Sequence, residues 1–90
     1  MPRAARPKSA SGKCNLIGPR VRIRRLNLAL THDAVCGRIA LITDGRWIPQ
    51  RQDIYKIEAR VRTCTDIEMV ALSQALEIDT AWLLTSDLAS

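Results

Sequence analysis

Residues 65–84 read TDIEMVALSQALEIDTAWLL, and this stretch decides the fold class. Thr65 with Glu68 three residues later makes a capping box, in which each side chain accepts a hydrogen bond from the other residue's backbone N–H. Behind it Ile67, Val70, Ala71, Leu72, Ala75 and Leu76 recur at helical spacing, an apolar surface wide enough to be covered on several sides. Asp79 can cap a short last helix carrying Trp82, Leu83 and Leu84. Two helices and no alternating strand pattern are expected here.

Working upstream, Pro49 can open a helix that runs to about Ala59. On a wheel of about 100° per residue, Ile54 and Ile57 share one side with Glu58, while Gln52 and Lys56 lie opposite. One face is therefore core and the other polar. Before it, residues 43–48 (TDGRWI) hold an Asp-Gly turn signal and two large apolar residues expected to fold back on the core. A β-hairpin fits the same segment, although no second strand is visible. Residues 31–42 form a further helix, capped by Thr31, with Asp33 in its first turn and Val35, Ile39 and Ile42 at helical intervals. Residues 19–30 form the first helix: Val21, Ile23, Leu26, Leu28 and Leu30 supply its inward side between Arg20, Arg22, Arg24 and Arg25. The class is all-α, with five short helices.

Residues 1–15 combine Pro, Ala, Ser, Gly and basic groups with almost no large apolar residue, too little to offset the entropy of ordering. The expected division is a flexible basic arm at 1–18, a helical domain at 19–86 and a tail at 87–90. A chain of 90 residues makes one small domain. Apolar residues are 47% of the chain but aromatics only 3%, namely Trp47, Tyr55 and Trp82, so the core must be aliphatic. Charge is unevenly spread. Residues 1–62 hold all 14 Lys and Arg and four acids (Asp33, Asp44, Asp53, Glu58), whereas residues 63–90 hold five acids and no Lys or Arg. Such a split favours a polyanionic partner, nucleic acid before an acidic membrane.

Cys14, Cys36 and Cys64 are isolated, with no CxxC pair, so no disulfide framework is expected. His32 is the one histidine, which leaves zinc without a second nitrogen ligand. No apolar run reaches the roughly 20 residues that span a bilayer, and no apolar core follows Arg3, Arg6 and Lys8 as a secretory signal would require. A cytoplasmic protein without metal or cofactor is expected. Paired carboxylates, a Gly-rich phosphate loop and a nucleophile at motif spacing to His32 are also missing, so the chain does not read as an enzyme.

The outward face of the third helix holds Arg51, Gln52, Tyr55 and Lys56. A helix fits the DNA major groove, where Arg or Lys donates to guanine O6 and N7 and Gln pairs with adenine. Many solvated helices carry the same residues, and Tyr55 could as well cover the edge of the core as pack on a sugar or thymine methyl.

The stretches RVRIRRLNLAL (20–30), THDAVCGRI (31–39), QDIYKIE (52–58) and TDIEMVALSQALEIDTAWLL (65–84) together resemble the helix-turn-helix regulators related to the phage repressor and Cro proteins, the XRE family. The likeness covers about residues 19–86 and lies in an ordered series: a basic helix ending in Leu-x-Leu, a Thr-opened helix, Ile-x-x-Ile-Glu, then Ile-Glu-x-x-x-Leu-x-x-Ala-Leu before Trp-Leu-Leu. It implies a lambda-repressor-like domain that binds double-stranded DNA as a transcriptional regulator, a repressor in the first instance, and that works as a homodimer on a palindromic site.

The resemblance places base contacts on Arg51, Gln52 and Lys56, beside Tyr55, and a phosphate contact on His32, where the family commonly has Gln. It also implies a buried or half-buried ion pair between Arg25 and Glu58. Arg20, Arg22, Arg24, Arg38 and Arg46 are either further phosphate contacts or a solvated face, with Arg38 and Arg46 favoured because they flank the turn before the third helix. Three features depart from the family pattern. Residues 39–50 exceed its tight turn, although a subgroup carries an extended one. Arg60 and Glu77 stand where Gly is usual, and a left-handed conformation there would strain each by roughly 1 kcal/mol. Cys64 replaces a residue such as Val and reads as a small core filler. A second reading is a protein-interaction module, such as an antitoxin that binds a toxin, suited by the apolar residues within 82–88 and the acidic C-terminal part.

Overall fold

A computed structural model describes residues 17–85. They form five helices, α1 (Gly18–Asn27), α2 (His32–Ile42), α3 (Arg51–Glu58), α4 (Asp66–Ala75) and α5 (Thr80–Thr85), with no strand among the described residues. The hairpin alternative at 43–48 therefore falls away. Most of the expected arm and all of the expected tail lie outside the described residues.

Ile17, only 1% exposed, belongs to the core, and Gly18 opens α1, so the fold begins two residues earlier than expected. Packing explains the shift. A Cβ on Gly18 would lie 2.5 Å from the Ile57 carbonyl oxygen and 2.7 Å from that of Glu58. The start of α1 thus rests on the end of α3 at a separation only glycine permits. Pro19 then sits in the first turn, where its missing N–H costs nothing.

All five helices contribute to a core of Ile17, Val21, Val35, Ile39, Ile54, Ile57, Leu72, Leu76 and Leu83, aliphatic as the scarcity of aromatics demands. The inward side of α1 is narrower than expected. Ile23 and Leu26 are about half exposed, and Arg25 is buried with Val21 instead. At about 100° per residue, Arg25 lies one turn above Val21, while Ile23 points some 200° away. The same rotation leaves Ile67 (79% exposed) and Val70 (47%) on the far side of α4 from Leu72, and Ile42 outside the core at the end of α2. Trp47 does fold back on the core, but Ile48 does not.

The helix starts follow their caps. Thr31 Oγ1 accepts from Ala34 N at 3.0 Å, and Thr65 and Glu68 form the reciprocal box at 3.2 and 3.1 Å. At α3 the expectation is corrected: Pro49 is buried ahead of the helix, and Gln50 is the extended cap residue whose N–H donates to Asp53 Oδ2 at 2.8 Å. Helices α1 to α4 all end alike. Ala29, Asp44, Arg60 and Glu77 have φ between 54° and 63°, and the following N–H bonds back to the carbonyl of Arg25, Ala40, Lys56 or Ser73. This is the Schellman ending, which normally favours glycine at the left-handed residue. Arg60 and Glu77 keep that conformation without glycine, and so do Asp44, in the Asp-Gly turn, and Ala29, which carries no signal in the sequence.

Candidate nucleic-acid interface

The site is assembled where α1, α2 and α3 meet. Ile54 and Ile57 are fully buried and fix the rotation of α3, which leaves Arg51, Gln52, Tyr55 and Lys56 exposed. At the end of α3 Glu58 turns inward and meets Arg25 of α1 in a two-pronged pair, Nε to Oε2 at 2.6 Å and Nη2 to Oε1 at 3.1 Å. The side chains are 9% and 5% exposed, so the charges are shielded from water. Arg25 Nη1 also donates to the Leu30 carbonyl at 3.0 Å, which fastens the turn leading into α2.

His32, the first residue of α2, joins this pair, with Nε2 3.2 Å from Glu58 Oε1. A carboxylate that takes two guanidinium hydrogen bonds can only accept, so His32 Nε2 carries a proton and donates it to Glu58. With Nε2 engaged by Glu58, a phosphate oxygen at this place is met by Nδ1 or by a backbone N–H at the start of α2. The ring also stands edge-on to Tyr55, with centroids 6.3 Å apart. Glu58 therefore ties α1 and α2 to α3, and His32 sets Tyr55 beside the start of α2.

Two shallow cavities flank His32. One, of about 280 Å³, is lined by Arg22, Arg25, His32, Tyr55, Glu58 and Ala59. The other, of about 310 Å³, is lined by Thr31, His32, Asp33 and Arg51. Arg51 pairs with Asp33 at 2.9 and 3.2 Å, a pair more than half exposed on both sides and hence screened by water and only weakly held. Such a partner is readily exchanged. In the sequence Asp33 reads only as a helix-end charge, and Arg22 is one of several arginines without a distinguishing position. The 18-residue separation of Arg51 from Asp33 carries no local signal, because the contact exists only once α2 and α3 are packed.

The other arginines divide. Arg46 is exposed in the turn after α2. Arg38 is engaged at the far end of α4, where Nη1 donates to the Ala75 carbonyl at 2.9 Å and to Glu77 Oε2 at 3.0 Å. Arg24 joins it there, with Nε 2.8 Å from the Leu76 carbonyl. Together they satisfy carbonyls at the negative end of that helix. Arg20 lies over the Trp82 ring at 4.2 Å. The structure thus groups Arg22, His32, Arg51, Gln52, Tyr55 and Lys56, and holds Arg20 and Arg38 against α5 and α4.

Burial, reinforced by nearby Glu68, pushes the Cys64 thiol up to about 12, and burial with Asp33 and Asp53 raises Cys36 as well. Both are protonated near neutrality and suited to packing rather than nucleophilic attack. Among the described residues no group of three His, Cys, Asp or Glu could hold a metal ion, and no helix is long and apolar enough to cross a membrane. No family model, curated protein or solved structure matches the chain.

Proposed function

We propose that this protein binds double-stranded DNA in a sequence-specific manner through a helix-turn-helix unit made of α2 and α3, and acts as a transcriptional regulator, in the first instance a repressor. The observation that carries the reading is the polar face of α3, Gln52, Tyr55 and Lys56 with Arg51 at its start, presented beside His32 and Arg22 by a buried ion pair. In this reading Arg51, Gln52 and Lys56 reach base edges in the major groove and Tyr55 packs at its wall. The start of α2 and the exposed Arg22 and Arg46 meet phosphates, which fix the register that base contacts then read. Arg51 exchanges its exposed Asp33 partner for DNA. Arg20 and Arg38 have smaller roles than the resemblance assigned, since their guanidinium groups are already engaged. A lambda-repressor-like arrangement with an extended turn accounts for the eight residues, 43–50, between α2 and α3. Such a regulator works in the cytoplasm, needs no cofactor and catalyses no reaction.

The test is selection of binding sites from randomised duplex DNA, followed by titration of selected and scrambled duplexes at several salt concentrations. Preference for the selected duplex, with affinity falling as salt rises, is expected because each phosphate contact releases counterions. Equal affinity for both duplexes would reject sequence reading, and salt-independent affinity would reject the charge argument.

A further inference from the structure

His32 is the chain's only histidine, and its ring stands among charges contributed by three helices. Arg22 and Arg25 of α1 line the cavity on one side of it with Tyr55 and Glu58 of α3, and Asp33 of α2 and Arg51 of α3 line the cavity on the other. Glu58, which already holds Arg25, accepts a hydrogen bond from Nε2 at 3.2 Å. Nε2 is therefore a donor in the neutral and the charged ring alike, and Nδ1 is the nitrogen that gains or lacks a proton. Among the described residues no hydrogen bond reaches Nδ1. The side chain is 26% exposed, and the edge-on contact with Tyr55 restrains the ring.

We propose that the protein takes up a proton at His32 Nδ1 when a DNA phosphate binds beside the ring, so that its affinity for DNA rises as pH falls. This proton linkage rests on the DNA-binding reading and concerns the control of that same site. A phosphodiester oxygen only accepts hydrogen bonds. In the neutral ring Glu58 keeps the proton on Nε2, so Nδ1 only accepts as well, and two acceptors repel. A proton from solvent on Nδ1 turns the repulsion into a charge-assisted hydrogen bond, while the bond to Glu58 is kept. The neighbouring charges make the uptake depend on DNA. Without DNA, Arg22, Arg25, Arg51 and the positive end of α2 oppose a second cation at His32, and Asp33 is occupied by Arg51. With DNA, Arg51 leaves Asp33 for a base, and the released carboxylate and the phosphate both stand near the ring. The proton on His32 offsets one of these two negative charges.

Calorimetric titration of the full chain with a duplex chosen by binding-site selection, repeated in buffers of different ionisation enthalpy, counts the protons taken up on binding. From about pH 7 to about pH 5.5 at fixed ionic strength, wild-type affinity should rise roughly 10-fold, with uptake of a measurable fraction of a proton. Histidine is the side chain whose ordinary charge change falls in this range, and the Cys36 and Cys64 thiols are pushed up and away from it. His32→Gln keeps an amide donor for Glu58 but cannot gain a charge. Its affinity should change by less than about twofold over the same range, without proton uptake, and circular dichroism checks that it is folded. The wild-type proton count stands without the variant, because His32 is the only histidine. A wild type that prefers the selected duplex but takes up no proton would overturn the linkage and leave the DNA-binding reading standing, since backbone N–H groups would then meet the phosphate alone. Equal uptake by a folded His32→Gln would overturn it as well. No preference for the selected over a scrambled duplex at either pH would overturn both readings.

Discussion

Removing either partner of the Arg25–Glu58 pair should bring the domain close to unfolding. The side chains are 9% and 5% exposed and joined at 2.6 and 3.1 Å, so neither charge can recover water when the other is deleted. Breaking one side of a buried pair costs about 3–5 kcal/mol, against about 1 kcal/mol or less for an exposed one. A domain of this size holds roughly 4–13 kcal/mol in total, at about 0.05–0.15 kcal/mol per residue. The two deletions are not equivalent. Glu58→Ala leaves Arg25 with only the Leu30 carbonyl, whereas Arg25→Ala leaves Glu58 with His32. Glu58→Ala should therefore be the more damaging. Urea unfolding of the wild type, both single variants and the double variant gives the cycle. With a slope of about 1 kcal/mol per molar urea, a single loss of about 3 kcal/mol moves the midpoint by about 3 M. The double variant should lose less than the two single losses together, by about 1–3 kcal/mol, because one deletion removes the reason for the other's cost. Additivity within about 0.5 kcal/mol would refute the reasoning, since it would mean that the two groups do not meet in solution.

Burial pushes the Glu68 carboxyl up, but hydrogen bonds from Arg62 and from the Thr65 N–H outweigh it and hold the group below the ordinary range. Its contribution to stability is then present above the unfolded value of about 4.3 and lost as pH falls through the depressed folded value, so the stability gap between wild type and Glu68→Gln should close in acid unfolding curves below about pH 4. Gly18→Ala should cost about 1–3 kcal/mol in thermal or urea unfolding, because its Cβ meets backbone carbonyls. Gly37→Ala, with nothing within 4 Å in mid-α2, should instead stabilise by about 0.5–1 kcal/mol. In duplex titrations Gln52→Ala should relax base preference by about 1–3 kcal/mol at one position, while Arg46→Ala should weaken all duplexes alike; the reverse pattern would mean that the turn, not α3, reads the bases.

The parts of this fold that were legible in the sequence are those set by local chemistry. Thr31 and Thr65 mark helix starts because a hydroxyl cap acts within three residues, and the short apolar face of α3 is unambiguous because Ile54 and Ile57 are its only large aliphatics. Where apolar residues outnumber the core positions, as in α1 and α4, the pattern alone does not rotate the helix. Arg25 rather than Ile23 goes inside because Glu58 arrives from α3, a contact across 33 residues. The engagement of Arg38 and Arg24 at the end of α4 was equally hidden, since it depends on carbonyls exposed only once that helix has ended. Gly18 gave no signal either. Its close approach to Ile57 and Glu58 is a product of how α1 and α3 cross. In the site, the outward residues of α3 were readable from the wheel, whereas Asp33 and Arg22 join only through packing.

Amide chemical-shift mapping of the labelled protein, titrated with a duplex chosen by binding-site selection, tests the central claim most directly. The account expects the changes to gather on Arg22, on His32 and the start of α2, and on Arg51, Gln52, Tyr55 and Lys56 of α3, with the α4 residues Ile67 to Gln74 little affected. Changes centred on those α4 residues and sparing α3 would contradict it.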